Sequence, residues 1–256
     1  MAEERQENYT IAEGYELPSK GEIYSVKVNP HVELRSMTAR DEMKRLAPST
    51  TPLKTLADII EGCMIEKPAI HVYDMALADY EYLLHKLRIV TYGPDYKMTI
   101  RCSECGEVID TTANLEELEL RDFDRAKFEE LRTFTLPKSN RTVTIRFMTP
   151  HLLDTIELRA KEERRKHKDA LIDFDTKVKL LLSIEAVDGE VITAYNLESF
   201  VNSLPAADMQ KILNNIDNIS QCLGLKNELF ITCPKCGGET LTFFRFGPEF
   251  FRPTNL

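Results

Sequence analysis

The chain has 256 residues, 43% of them hydrophobic and 29% charged, with a formal net charge of -9; this suits a soluble globular protein with a real apolar core. The acidic balance weighs against a nucleic-acid binder, which must neutralise phosphates with a basic surface. No run approaches the roughly 20 apolar residues of a bilayer span, and the polar, acidic start from Met1 to Asn8 reads as neither secretory signal nor transit peptide, so residence in a cytoplasm is the expectation.

Met1 to Ile11 lacks apolar periodicity and reads as an arm, placed within residues 1–14. Leu17-Pro18-Ser19-Lys20-Gly21 is a turn, with Pro and Gly as its formers. Alternation over Ile23 to Val28 and Val32 to Leu34 predicts a hairpin. After Arg35-Ser36-Met37, Thr38 is a candidate N-cap with Asp41 and Glu42 in the first turn; the helix runs to about Leu46 and ends before Pro48. Ile59 and Ile60 open an apolar segment, and a strand-like run lies near Ala69 to Tyr73. A helix from Leu77 to about Ile89 sets Tyr80, Leu83, Leu84 and Leu87 on one face, and a strand from Tyr96 to Ile100 runs into Cys102-Ser103-Glu104-Cys105-Gly106. The carboxylates of Asp110, Glu116, Glu117 and Glu119 that follow have no partner nucleophile and read as a solvated turn and helix start.

From Leu136 the order returns. Leu136-Pro137-Lys138-Ser139 is a second Pro-containing turn, Arg141 to Phe147 alternates as a strand, and Arg146-Phe147-Met148-Thr149 leads into a helix opening at Pro150, a favoured first helical residue. Lys179 to Ile184 and Glu190 to Thr193 precede helical patterns at about Leu197 to Ser203 and Ala206 to Ser220, and Leu229 to Thr232 runs into Cys233-Pro234-Lys235-Cys236-Gly237. The repeated order predicts an α+β protein of two duplicated lobes. Residues 15–130 and 131–245 form these lobes, each with strand or hairpin, helices, strand and a C-x-x-C knuckle, and residues 246–256 form an aromatic C-terminal arm.

Cys102, Cys105, Cys233 and Cys236 are the candidate metal ligands. A C-x-x-C turn puts two sulfurs on one side of a tight loop, and the Gly after each second Cys permits backbone angles that a side chain obstructs. Two such turns complete the four thiolates of a structural zinc site. The expectation is therefore one structural Zn2+ per chain, shared across the 127 residues between Cys105 and Cys233 and tying the lobes together. Empty knuckles and a redox dithiol are the competing readings; the latter calls for a C-x-x-C at a helix N-terminus, a setting neither pair has. Cys63 and Cys222 sit among apolar neighbours and read as buried thiols, and His71 and His85 as surface or core-edge residues.

The basic run Arg159 to Lys168 is read as a solvated helix rather than a contact surface. No phosphate-binding Gly loop, H-E-x-x-H or nucleophile elbow is present, so no catalytic residue is assigned. Phe243, Phe244, Phe246, Phe250 and Phe251 crowd the end with Arg252 and Pro253. Core packing and partner docking are both open for them, with Phe250, Phe251, Arg252 and Pro253 as docking candidates because aromatics and Arg are enriched in interface hot spots.

Several of these segments resemble the T4-type bacteriophage baseplate protein family, which includes a hub component and a hub-assembly factor. They are Leu17 to Gly21, Met37-Thr38 with Asp41-Glu42, Ile59 to Cys63, Asp79-Tyr80-Glu81-Tyr82-Leu83-Leu84-His85-Lys86-Leu87-Arg88, Thr91-Tyr92-Gly93, the first knuckle, and the ending Phe250-Phe251-Arg252-Pro253. The resemblance implies a non-enzymatic virion protein of the tail baseplate, at or near the hub, assembled in the host bacterial cytoplasm and contacting other baseplate proteins. It implies no small-molecule substrate and no membrane. The alternatives are a hub chaperone absent from the virion, a zinc-ribbon nucleic-acid binder and a metal-dependent enzyme.

Overall fold

The structure is a computed structural model that describes residues 12–244 and 246–251. The first strands, Glu13–Glu16 (β1) and His31–Leu34 (β2), pair antiparallel with Glu13 opposite Leu34. Between them Lys20 and Gly21 both take positive φ, 52° and 72°, and the Lys20 amide donates to the Leu17 carbonyl at 2.9 Å. A Cβ on Gly21 would lie 2.5 Å from the Val28 carbonyl oxygen. Gly21→Ala is therefore expected to cost about 1–3 kcal/mol, measured as a lower urea midpoint at unchanged slope.

The hairpin expected between Ile23–Val28 and Val32–Leu34 does not form. The partner of β2 is β1, part of which the sequence assigned to the arm. Residues 23–28 cannot lie flat as a strand because Ile23 is drawn into a core and the Tyr24 hydroxyl donates to Asp79 at 2.5 Å. Helix Ala39–Leu46 (α1) carries the expected Thr38/Asp41 reciprocal cap. Helix Pro52–Cys63 (α2) begins well before Ile59, with Pro in its first turn and Leu56, Ala57, Ile59, Ile60 and Cys63 buried. The strand expected near Ala69 to Tyr73 is instead a single 3-10 turn, Val72–Asp74, held by the His71 ring accepting from the Tyr73 amide. Helix Leu77–Tyr92 (α3) then leads to the ribbon of Asp95–Arg101 (β3) and Val108–Asn114 (β4).

The second half runs Arg125–Arg132 (α4), Thr133–Thr135 (β5), Thr142–Ile145 (β6), Pro150–Lys166 (α5), Phe174–Ser183 (α6), Ile184–Val187 (β7), Ala194–Ser203 (α7), Ala206–Gln221 (α8), Glu228–Thr232 (β8) and Glu239–Phe243 (β9). Strands β5, β6 and β7 form one sheet with β6 central, and β8 pairs with β9.

Local contacts repeat between the halves. Lys20 N bonds Leu17 O, as Asn140 N bonds Leu136 O, and Asn140 also has positive φ, 54°. Arg35 N donates to Cys63 O at 2.9 Å and Arg146 N to Ser183 O at 2.8 Å, each tying the end of a strand to the end of a helix. Most telling are two buried carboxylates to which the sequence reading gave no structural role. Asp79, the third residue of α3, accepts from the Ser19 amide at 3.0 Å and the Ser19 hydroxyl at 2.5 Å. Asp208, the third residue of α8, accepts from the Lys138 and Ser139 amides, both at 2.8 Å. Each thus pins a Leu-Pro turn to the start of a 16-residue helix.

One core gathers Leu34, Ile59, Ile60, Tyr80, Leu83, Leu84 and Leu87, and another Phe128, Val143, Ile145, Ile212 and Ile216. The cores exchange residues across the sequence divisions. Ile23, Ala76 and Ala78 pack in the second, whereas Phe244, Phe250 and Phe251 pack in the first. Phe250 and Phe251 are 1% and 0% exposed, with the Phe250 ring 5.3 Å from that of Tyr96. Of the two readings open for these side chains, packing is the one their burial supports: neither can reach a partner while seated. Arg252 and Pro253 lie outside the described residues.

Candidate metal centre

Each ribbon ends in the same knuckle. In the first, the Cys102 amide donates to Glu107 O at 2.8 Å and the Gly106 amide to Cys102 O at 3.0 Å; in the second, Cys233 N bonds Gly238 O at 2.8 Å and Gly237 N bonds Cys233 O at 2.9 Å. Gly106 and Gly237 take φ of 73° and 72°, which explains why glycine follows each second cysteine.

All four sulfurs lie within 4.8 Å of one another, so the cluster can hold a metal ion. The close pairs are reciprocal: Cys102 to Cys236 and Cys105 to Cys233, each 3.7 Å. Four thiolates bonded tetrahedrally at about 2.3 Å stand about 3.8 Å apart, so the donor set fits such an ion with little adjustment. Cys102 and Cys233 are buried while Cys105 and Cys236 are exposed, and Cys102, Cys233 and Ile109 form a small core flanked by Ile100 and Ile231. The ribbons also touch directly. The Ser103 amide donates to Thr240 Oγ1 at 3.1 Å, Lys235 pairs with Glu107, and Gly238 leaves room for Glu104, whose Cγ would sit 2.8 Å from an added Cβ. The sequence reading stopped at Gly237; the second glycine, Gly238, is the signal that could have found this approach, and nothing in the sequence marks Thr240 or Glu107.

Charge in the cluster is uneven. The Cys105 amide, with the Glu104 amide and the neighbouring sulfurs, outweighs burial and holds the Cys102 thiol down at about 6. The Gly238 amide pulls Cys236 down, but the other three sulfurs and burial push it up to about 12. Thiols this close resist joint ionisation unless a cation sits among them.

The remaining candidates lie elsewhere. Cys63 is fully buried, and burial pushes its thiol up to about 11; Cys222 is raised by burial too. His85 is buried with Nε2 2.8 Å from Leu115 O, and burial holds it down at about 4, hence neutral. His71 faces Asp58 and Glu61 at 3.1 and 3.3 Å. Asp110 stands on β4 and Glu116 and Glu117 in a 3-10 turn. In the basic run, Arg164 pairs with Asp175 and Lys166 with Glu163, as on a solvated helix. No helix among the described residues is long and apolar enough to cross a membrane.

No curated protein and no solved structure matches the chain. A family model described as T4 bacteriophage base plate protein matches residues 10–252. That match spans both Leu-Pro turns and both knuckles, and the chain belongs to the T4 bacteriophage base plate protein family.

Proposed function

We propose that this protein is a non-enzymatic building block of the phage tail baseplate, at or beside the hub. In this reading one zinc ion on Cys102, Cys105, Cys233 and Cys236 clasps two duplicated lobes, so that they present fixed docking surfaces to neighbouring baseplate proteins. Family membership supports a baseplate component located in the virion tail and contacting other tail proteins. The observation that carries the finer reading is the gathering of four sulfurs from two distant knuckles, in reciprocal pairs at 3.7 Å. Thiolates suit zinc, and a closed set of four leaves no position for substrate or activated water, so the ion holds rather than reacts. The matched turns, strand-to-helix ties and buried Asp79 and Asp208 support duplication of residues 15–130 and 131–245. Free thiols in metal-ligand spacing suit assembly in a reducing host cytoplasm.

Metal analysis of the purified protein tests the clasp. One zinc per chain is expected, lost from Cys102→Ser/Cys105→Ser and equally from Cys233→Ser/Cys236→Ser. Metal kept at full occupancy by either variant would remove the shared site. Mass spectrometry of finished tails tests the place in the particle: the protein should be present at fixed stoichiometry. Its presence only in assembly intermediates would favour the chaperone.

A further inference from the structure

The outer face of the second ribbon carries three large apolar side chains exposed to solvent. In the β8–β9 ladder Phe230 stands opposite Leu241, and Glu228 opposite Phe243; strand alternation therefore puts Phe230, Leu241 and Phe243 on one face. They are 67%, 48% and 52% exposed. The first ribbon provides the comparison. Counted from the knuckles, Thr99, Asp110 and Thr112 hold the same positions, and Thr99 faces Asp110 with its hydroxyl donating at 2.6 Å. At these three positions the same hairpin is polar, its one exposed apolar side chain on that face being Val108 at the position of Glu239, so neither the knuckle nor the ladder requires an apolar cluster there. An apolar cluster held in register on a rigid surface marks an interaction site.

The surroundings select the occupant. A groove of about 360 Å³ beside β8 is lined by Leu118 and Phe230 together with Glu117, Glu119, Glu228 and Lys226. Lys226 pairs with Glu119 and Arg121 with Glu228, so among the described residues Glu117, and Glu239 on the ribbon face, make the rim negative. A second copy docked about a twofold would set this acidic rim against itself. We propose that the face docks a different baseplate protein, through a segment whose apolar side chains are flanked by lysine or arginine. This rests on the baseplate reading above.

The test exchanges Phe230→Thr, Leu241→Asp and Phe243→Thr, giving the second ribbon the first ribbon's outer residues. Wild-type and variant chains are supplied to a phage lacking its own copy, and purified baseplates are quantified. The variant should remain monomeric and keep its zinc and thermal midpoint, yet incorporate at least 10-fold less than wild type. Incorporation at the wild-type level overturns the proposal, as does a wild-type dimer in sedimentation that the variant dissolves, since the occupant is then a second copy. Wild-type protein missing from baseplates overturns the baseplate reading itself. If the triple exchange impairs folding, Glu239→Lys, which touches no core, decides: severalfold lower incorporation supports the basic partner, and no change overturns it.

Discussion

If the four thiolates hold zinc as proposed, serine at Cys102 and Cys105, or at Cys233 and Cys236, should strip the metal and free the two ribbons from each other while leaving both main cores folded. Each ribbon is a two-stranded hairpin, a unit with marginal stability of its own, and the small core between them is only Cys102, Ile109 and Cys233 with two flanking isoleucines. A four-thiolate site contributes on the order of 10 kcal/mol in small zinc peptides. A cross-link closing a loop of this length contributes about 5 kcal/mol by restricting the unfolded chain. The expected loss is therefore several kcal/mol, the largest effect of any substitution considered for this protein. Hydrogen exchange should speed first in β3–β4 and β8–β9, and a strong chelator should reproduce the pattern in the wild-type chain. Unchanged exchange and thermal midpoint after chelation would show that the ribbons need no clasp.

Asp79→Ala should follow, with a cost of about 2–4 kcal/mol from the buried donors it orphans. The carboxylate has no exposed surface and accepts from the Ser19 amide and hydroxyl and from the Tyr24 hydroxyl. Tyr24 in turn accepts from the Ala76 amide at 3.0 Å, so alanine orphans several buried donors at once. Asp79→Asn keeps the shape and should cost less. Burial pushes the Asp79 carboxyl above its ordinary value, against the Ser19 and Tyr24 hydrogen bonds. The native state thus holds this proton more tightly than the unfolded chain. The group's contribution is fullest below about pH 4 and shrinks as pH rises through the raised value. The stability gap between wild type and the asparagine variant should accordingly narrow from about pH 4 to pH 7. Asp208 behaves in the opposite sense. Burial raises its carboxyl, but the Lys138 and Ser139 amides outweigh that and hold it below the ordinary value. Its contribution is present at neutral pH and is lost as pH falls. Urea titrations of Asp79→Asn from about pH 4 upward, and of Asp208→Asn from about pH 4 downward, check both signs.

The parts legible in the sequence were those whose chemistry is local. Thr38 announces its helix because a cap needs only the next three residues, Pro150 announces its own as a first helical residue, and the apolar face of α3 follows from spacing alone. The knuckles were legible because ligand spacing and glycine are both demanded by the turn. What escaped depends on distant partners. Ile23 to Val28 alternates like a strand, yet Tyr24 is committed to Asp79, 55 residues away. β1 is a four-residue strand defined only by its pairing with β2. Asp79 and Asp208 read as ordinary acidic residues in a first turn, because nothing nearby says that a Leu-Pro turn will cover them. The Phe250-Phe251 pair was ambiguous for the same reason: its socket is made by residues of the other half.

That socket has a consequence for biosynthesis. Phe244 emerges 129 residues after Leu115, the preceding member of its core. At cellular rates of about 5–20 residues per second, this is a delay of roughly 6 to 26 s. During that interval the growing polypeptide carries an uncapped hydrophobic cleft, and the nascent first half is the window in which chaperones or proteases meet it.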